Sequence, residues 1–347
     1  MSSINLIESK GVLRNNWNAE VEDYVIGCEW ADEGNILLVG NVAGGVSALE
    51  GETGNILWHK SKTHDGNLLA ISVNPNGKLF ATSGQDGCIL IRETAGGAVI
   101  ETIQLEKGWV EHLEWSQDGI SLAASISKNV HVFDYKGQEK WRSEQHSSTI
   151  SALAWSRNDE LATACYGKVA FHDVIRNKIK QSLEWKGSLI SMELSADGDI
   201  VACGSQDNTV HFWRRSTGED SMMSGYPGKP RNLAFNSSGK LLATGGHEII
   251  TVWSFENNGP EGTTPGQLEC HESFVSMLSF APHGNRLASG ARDGSIAIWG
   301  LMSDGHGGSI GTSRMSDHVS SIAWKKDSKV IAAGNAKGQI VTWKVKT

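Results

Sequence analysis

Apolar and polar positions alternate along this chain in short runs, and no stretch keeps the 3.6-residue spacing of a helix. Residues 274–299, FVSMLSFAPHGNRLASGARDGSIAIW, show the unit. Short β-rich runs are bounded by Pro-His-Gly and Arg-Asp-Gly, and Ser295-Ile296-Ala297-Ile298 alternates strictly. The turn chemistry repeats in Asn74-Pro75-Asn76-Gly77, Gln117-Asp118-Gly119, Ala196-Asp197-Gly198 and Ser237-Ser238-Gly239, each predicted to join two strands in a tight hairpin. The pattern therefore predicts antiparallel strands throughout.

The unit recurs eight times. Anchored on the last bulky residue of its first strand, it falls at Trp30, Val73, Trp115, Trp155, Leu194, Phe235, Phe280 and Trp324, at intervals of 43, 42, 40, 39, 41, 45 and 44 by subtraction. A period of roughly 40–45 residues suits a four-stranded propeller blade and is too long for ankyrin or tetratricopeptide units. The repeat count predicts an all-β propeller of eight four-stranded blades, with seven blades as the alternative. One domain over residues 1–347 follows, because propellers distribute burial between neighbouring blades.

At these residues the chain resembles the WD40 repeat family, over about Val21 to Lys346. In the seventh repeat His271, Ser289, Asp293 and Trp299 occupy the positions of that family's structural hydrogen-bonded tetrad. The second repeat has His64, Ser83 and Asp86 but Arg92 in place of Trp, and the fifth has Asp207 and Trp213 without the His. The eponymous Trp-Asp dipeptide is never intact; its positions read Leu49-Glu50, Arg92-Glu93, Phe133-Asp134, His172-Asp173, Trp213-Arg214, Trp253-Ser254, Trp299-Gly300 and Trp343-Lys344. The last repeat has room for three strands only. The resemblance implies that an N-terminal strand, placed at residues 4–13 within a closing segment 1–14, completes the last blade and so removes an exposed edge.

Composition narrows the setting. Against 39 Asp plus Glu stand 31 Lys plus Arg, a formal charge of −8 with no basic run, which argues against nucleic acid as a partner. No charged-then-apolar leader and no membrane-length apolar run are present. Cys28, Cys88, Cys165, Cys203 and Cys270 are odd in number and lack a Cys-x-x-Cys spacing, so buried free thiols in a reducing cytoplasm are expected. Gly-rich phosphate loops, His-Glu-x-x-His and Gly-x-Ser-x-Gly are missing, so no enzyme is expected, and neither cofactor nor metal. His64, His146 and His271 each lie nine residues before an anchor, the family's structural position.

Two departures from the repeat are candidates for function. Immediately before the anchors stand Glu29, Glu114 and Glu193 where the other repeats keep Ser or Ala, placing three carboxylates near the axis. A backbone amide or water is their expected partner, and a channel ligand or cation the alternative. Six residues before each anchor, the entry face reads Tyr24, Asn67, Trp109, Thr149, Ser188, Lys229, Phe274 and His318. Phe274, His318, Tyr24, Asn67 and Trp109 are consecutive round the ring, an arc with aromatics at four of its five positions. Gln85, Gln206 and Arg292, just before the turn Asp, are expected beside it. The WD40 resemblance implies that this face grips peptides or partner loops, which makes the expected role a protein-interaction scaffold, a monomer within a larger complex. On the opposite face, Glu256–Gln267 and Ser303–Ser313 are expected as long polar loops.

Overall fold

The computed structural model describes residues 9–257 and 259–346. Its strands pair antiparallel throughout and form a ring of sheets, each strand next to its neighbour in sequence except the two N-terminal ones. The repeated turns set this order. In six repeats the residue after the anchor, Asn74, Ser116, Ser195, Asn236, Ala281 or Lys325, takes its N–H back to the carbonyl five residues on, at 2.8–3.0 Å. Gly77 shows why glycine closes such a turn: its φ is +69°, and a Cβ there would lie 2.6 Å from the Asp32 backbone nitrogen.

The expectation of eight blades is corrected. The strands of the described residues assemble into seven sheets, so counted by sheet the ring has seven blades. One sheet has six strands because Lys178–Leu194 runs for 17 residues without a break. Its first half pairs with Glu160–Asp173 and its second half with Ile200–Ser205, so the fourth and fifth repeats never separate.

Closure is also corrected. The strand that completes the last blade is Leu13–Glu20, paired with Gln339–Val345 from Leu13 opposite Val345 to Glu20 opposite Gln339. Of the segment expected in that role, residues 1–8 lie outside the described part. Lys10–Gly11 pairs instead with Thr312 and Gly311 as the fifth strand of the seventh repeat's sheet. A register shift between Asn15 and Trp17 interrupts the pairing in Leu13–Glu20, and the exposed Asn15 stands between its two buried anchors, Leu13 and Trp17, so no run of alternating apolar residues marks the strand.

The core lies between neighbouring repeats. Ala81, Ile89 and Ile91 of the second pack with Val110, Leu113 and Trp115 of the third, and Leu241 and Val252 of the sixth with Val275, Leu278 and Trp299 of the seventh. Wherever the anchor is Trp, its indole adds a polar tie. Trp30, Trp115, Trp155 and Trp324 donate to the carbonyls of Ala323, Ser72, Glu114 and Ser279, the pre-anchor residues of the preceding repeats, at 2.9–3.2 Å.

The tetrad needs two corrections. In the second repeat His64 bonds Thr82 Oγ1 at 3.0 Å, whereas Ser83 faces the other way and donates to the Val110 carbonyl; a slip of one residue along a strand flips the face. In the seventh, His271 and Trp299 both meet Ser289 Oγ, at 2.6 and 2.8 Å, but Asp293 reaches His271 through Ser295. The two long loops differ as well. Residues 307–314 of the second form a strand, and only the first leaves an extended connection, from Phe255 to the strand Gly266–Glu269.

Candidate functional site

The inner strands of four consecutive repeats, the sixth to the eighth and the first, are tied in series by side chains bonded to a neighbour's carbonyl. Asn232 donates to Val275, Ser276 to Val319 and Ser320 to Val25, at 3.0, 2.6 and 2.7 Å. Above these ties the entry face opens into a pocket of about 420 Å³. Tyr24, Phe274, His318 and Arg292 line it together with Lys229 and Arg231.

The pocket has a definite edge chemistry. Phe274 is 45% exposed, with the Arg292 guanidinium 5.5 Å from its ring centroid and the His247 ring 5.0 Å away in a T-shaped contact. Tyr24 and His318 meet edge to face at 6.2 Å. Burial, and after it the Arg292 charge, hold the His318 imidazole below its ordinary pKa, while Asp317 acts the other way. No carboxylate lines the pocket, and Lys229, Arg231 and Arg292 have no ion-pair partner among the described residues. In a chain with more acids than bases this is a local reversal of charge.

The rest of the expected arc lies elsewhere. Trp109 is 55% exposed but outside the pocket. Asn67 and Gln85 lie outside the pocket and bond each other: the Asn67 N–H donates to Gln85 Oε1 at 3.2 Å and the Gln85 N–H to the Asn67 carbonyl at 3.0 Å. The exposed Gln206 makes the same backbone bond, to the Ser188 carbonyl, away from the pocket. Sequence reasoning missed Arg231 and His247. His247 occupies the strand-end position of Gln85 and Arg292, but its turn, Gly246-His247-Glu248, lacks the Asp used to find that position.

Near the axis, the three glutamates do not meet as one site. The Glu29 carboxylate accepts at 2.7 Å the N–H of Val73, the anchor of the next repeat, and the Phe235 N–H acts on Glu193 in the same sense. Burial pushes Glu29 and Glu193 up to about 8, the Glu114 charge adding to both and the amide bonds opposing. Burial raises Glu114 less, to about 7, and its side chain keeps open surface where water reaches it. A cavity of about 710 Å³ at the far end of the axis includes Glu29 but neither of the others. Among the described residues no group of three or more His, Cys, Asp or Glu is placed to hold a metal ion. All five cysteines are free; four are buried and Cys270 is exposed.

Comparison with known proteins agrees with this geometry. The model of the family described as "WD domain, G-beta repeat" matches residues 57–92, 178–214 and 262–300. The chain is 23% identical to Autophagy-related protein 16 of Arabidopsis thaliana over 81% of its own length and 56% of that protein's. To Actin-interacting protein 1 of Caenorhabditis elegans it is 23% identical over 94% and 54%, and to Cell division cycle 20.4, cofactor of APC complex, of Arabidopsis thaliana 24% over 62% and 62%. The chain thus spans little more than half the length of these relatives. Among solved structures, the computationally designed Ika8 protein superposes with a TM-score of 0.82 at 18% identity, covering 96% of this chain and all of that one, a likeness of fold alone. The chain is a WD40 repeat β-propeller.

Proposed function

We propose that this propeller is a non-catalytic scaffold that docks protein partners on its entry face, and that the pocket at Tyr24, Phe274, Arg292 and His318 takes an acidic peptide segment carrying an apolar residue. The observation behind this reading is the combination of an exposed phenylalanine with three unpaired cations and no lining carboxylate. A peptide's apolar side chain covers Phe274 while its carboxylates meet Lys229, Arg231 and Arg292, which steers encounter as well as adding affinity. The series of ties under the pocket holds these groups in place before binding, which lowers the ordering cost. The relatives described as actin-interacting and as a cofactor of a complex act through other proteins, in keeping with this role. A monomer acting within a larger complex, in a reducing cytoplasm that keeps the thiols free, completes the proposal. The alternative of a ligand or cation in the channel has less support, because Glu29 already holds a backbone amide and the three glutamates do not share one cavity.

Binding of a fluorescein-labelled Glu-Glu-Phe-Glu-Glu peptide and of its Lys-for-Glu counterpart tests the reading. The acidic peptide should bind, Phe274→Ala should lose about 2 kcal/mol, roughly thirtyfold, and Arg292→Glu at least as much. Trp109→Ala should leave this peptide unaffected. Equal binding of the two peptides, or full affinity in Arg292→Glu, refutes the proposal.

A further inference from the structure

A second recess lies on the flank of the ring, between the outer strand Glu139–Arg142 of the third repeat and the outer half of the fourth. One residue of its lining departs from the repeat. Repeats five to eight carry Trp213, Trp253, Trp299 and Trp343 at the end of the third strand, and in the seventh the indole is 1% exposed and donates to Ser289 Oγ. The fourth repeat has His172 there. Its smaller ring takes the equivalent bond, to Thr163 Oγ1 at 3.1 Å, and it lines a groove of about 460 Å³.

The hydrogen bonds fix the protons in this groove. The Lys128 carbonyl, 3.1 Å from His146 Nδ1, can only accept, so Nδ1 carries the hydrogen. His146 Nε2 is then an acceptor and takes the Thr163 hydroxyl hydrogen at 3.0 Å, a shorter contact than that of the hydroxyl with the Ala170 carbonyl at 3.5 Å. Thr163 Oγ1, its hydrogen used, accepts from His172 Nε2–H, which leaves His172 Nδ1 as a bare lone pair. That nitrogen has no partner among the described residues, belongs to a side chain only 6% exposed, and is not among the fully enclosed polar atoms, so it opens on the groove. Burial, then the neighbouring His146 and Lys168, lower the His172 pKa to about 4 and keep the ring neutral at pH 7. Lys168, half-buried on the same wall, has no carboxylate partner among the described residues. Trp141, 7% exposed, adjoins His172 in a tilted ring contact with centroids 5.1 Å apart, and its own N–H is bonded to Asn177 Oδ1. On the rim, Arg142 is paired with Glu139, while Glu144 and Lys178 are exposed.

We propose that this groove binds an aryl group bearing one O–H donor and a nearby carboxylate: the ring lies against Trp141, the hydroxyl donates to His172 Nδ1, and the carboxylate meets Lys168. A free phenolic acid and a tyrosine flanked by acidic residues present this same chemistry. The site is independent of the entry-face pocket.

Calorimetric titration of the whole chain with para-hydroxyphenylacetate, phenylacetate, and blocked Glu-Tyr-Glu peptide tests it. The hydroxyl acid should bind about tenfold more tightly than phenylacetate, the difference one hydrogen bond makes. Tighter binding of the peptide identifies a protein source and weaker binding a small molecule. His172→Trp, which installs the residue of the sibling repeats, should abolish binding without lowering the melting temperature. Lys168→Met, at a half-buried position, should weaken the acid about tenfold and keeps the test decisive if the first variant folds poorly. Absence of saturable binding, equal affinity for phenylacetate, or undiminished binding in either folded variant overturns the proposal.

Discussion

Replacing Trp17 by Ala tests which segment closes the ring. Trp17 lies in the strand Leu13–Glu20, is 7% exposed, packs with Val25, Leu37, Leu49 and Ile340, and donates its indole N–H to the Gly51 carbonyl at 3.1 Å. It therefore fastens the N-terminal strand to both the last repeat and the first. Truncating a buried Trp removes about 3–5 kcal/mol, and here also leaves the Gly51 carbonyl without this donor. At about 2–4 °C per kcal/mol for 150–250 residues and less for a longer chain, the melting temperature should fall by roughly 5–10 °C. Leu13→Ala, at a fully buried position of the same strand, should behave alike, whereas the exposed Asn18→Ala should stay within about 0.5 kcal/mol of the parent. Thermal scans monitored by circular dichroism, with concentration varied to detect aggregation of an opened edge, provide the readout. If Trp17→Ala melts with Asn18→Ala and the parent, the closing strand is not Leu13–Glu20.

Three further outcomes follow from the packing and the charges. Asp293→Ala removes the acceptor for Ser295 and for the Glu272 N–H and should destabilise by about 1–3 kcal/mol in urea titration, while Asp317→Ala, which loses mainly the surface pair with Lys337, should change stability by less than about 1 kcal/mol. Trp155→Phe keeps the aromatic ring but deletes the indole bond to the Glu114 carbonyl, so a loss of about 1 kcal/mol is expected by the same method. Glu29 and Glu193 have folded pKa values near 8 against an ordinary 4.5, so the folded chain binds more protons between those values and their contribution, fully present below about 4.5, is lost as pH rises through 8. Glu29→Gln and Glu193→Gln should therefore raise the melting temperature relative to the parent at pH 9 and have much less effect at pH 5; the reverse order contradicts burial as the cause.

The repeats and their turns are legible in the sequence because each depends on local chemistry: an anchor, a polar pair and a Gly that tolerates positive φ. What escaped depends on contacts distant along the chain. Nothing within Leu183-Glu184-Trp185-Lys186-Gly187-Ser188 announces that the strand continues; pairing with partners on both sides makes it do so. Choosing Thr82 rather than Ser83 requires the register against the first strand, where Thr82 faces Ile71 and Ser83 faces Ala70. On the entry face, a single position per repeat found Tyr24, Lys229, Phe274 and His318, and the position before the turn Asp found Arg292. Arg231, two residues beyond Lys229, has no repeat position to mark it.

A ring of repeats separates fold from function by comparison within one molecule. Features shared by many repeats, such as the indole-to-carbonyl ties and the anchor hairpins, are accounted for by closure and packing, since every blade needs them. Departures are tolerated because the clusters between repeats carry most of the burial, so losing one tetrad member costs about 1–3 kcal/mol rather than the fold. The sixth repeat shows this tolerance: Tyr226 supplies the hydroxyl that meets both Thr244 and Trp253, at 2.9 and 2.8 Å. The fourth repeat departs differently, since His172 keeps the bond but not the volume. A substitution that preserves the hydrogen-bond chain with a smaller ring is unlike simple decay of a repeat, which loses chain and ring together, and it is the contrast between Tyr226 and His172 that directs attention to the flank as well as to the entry face.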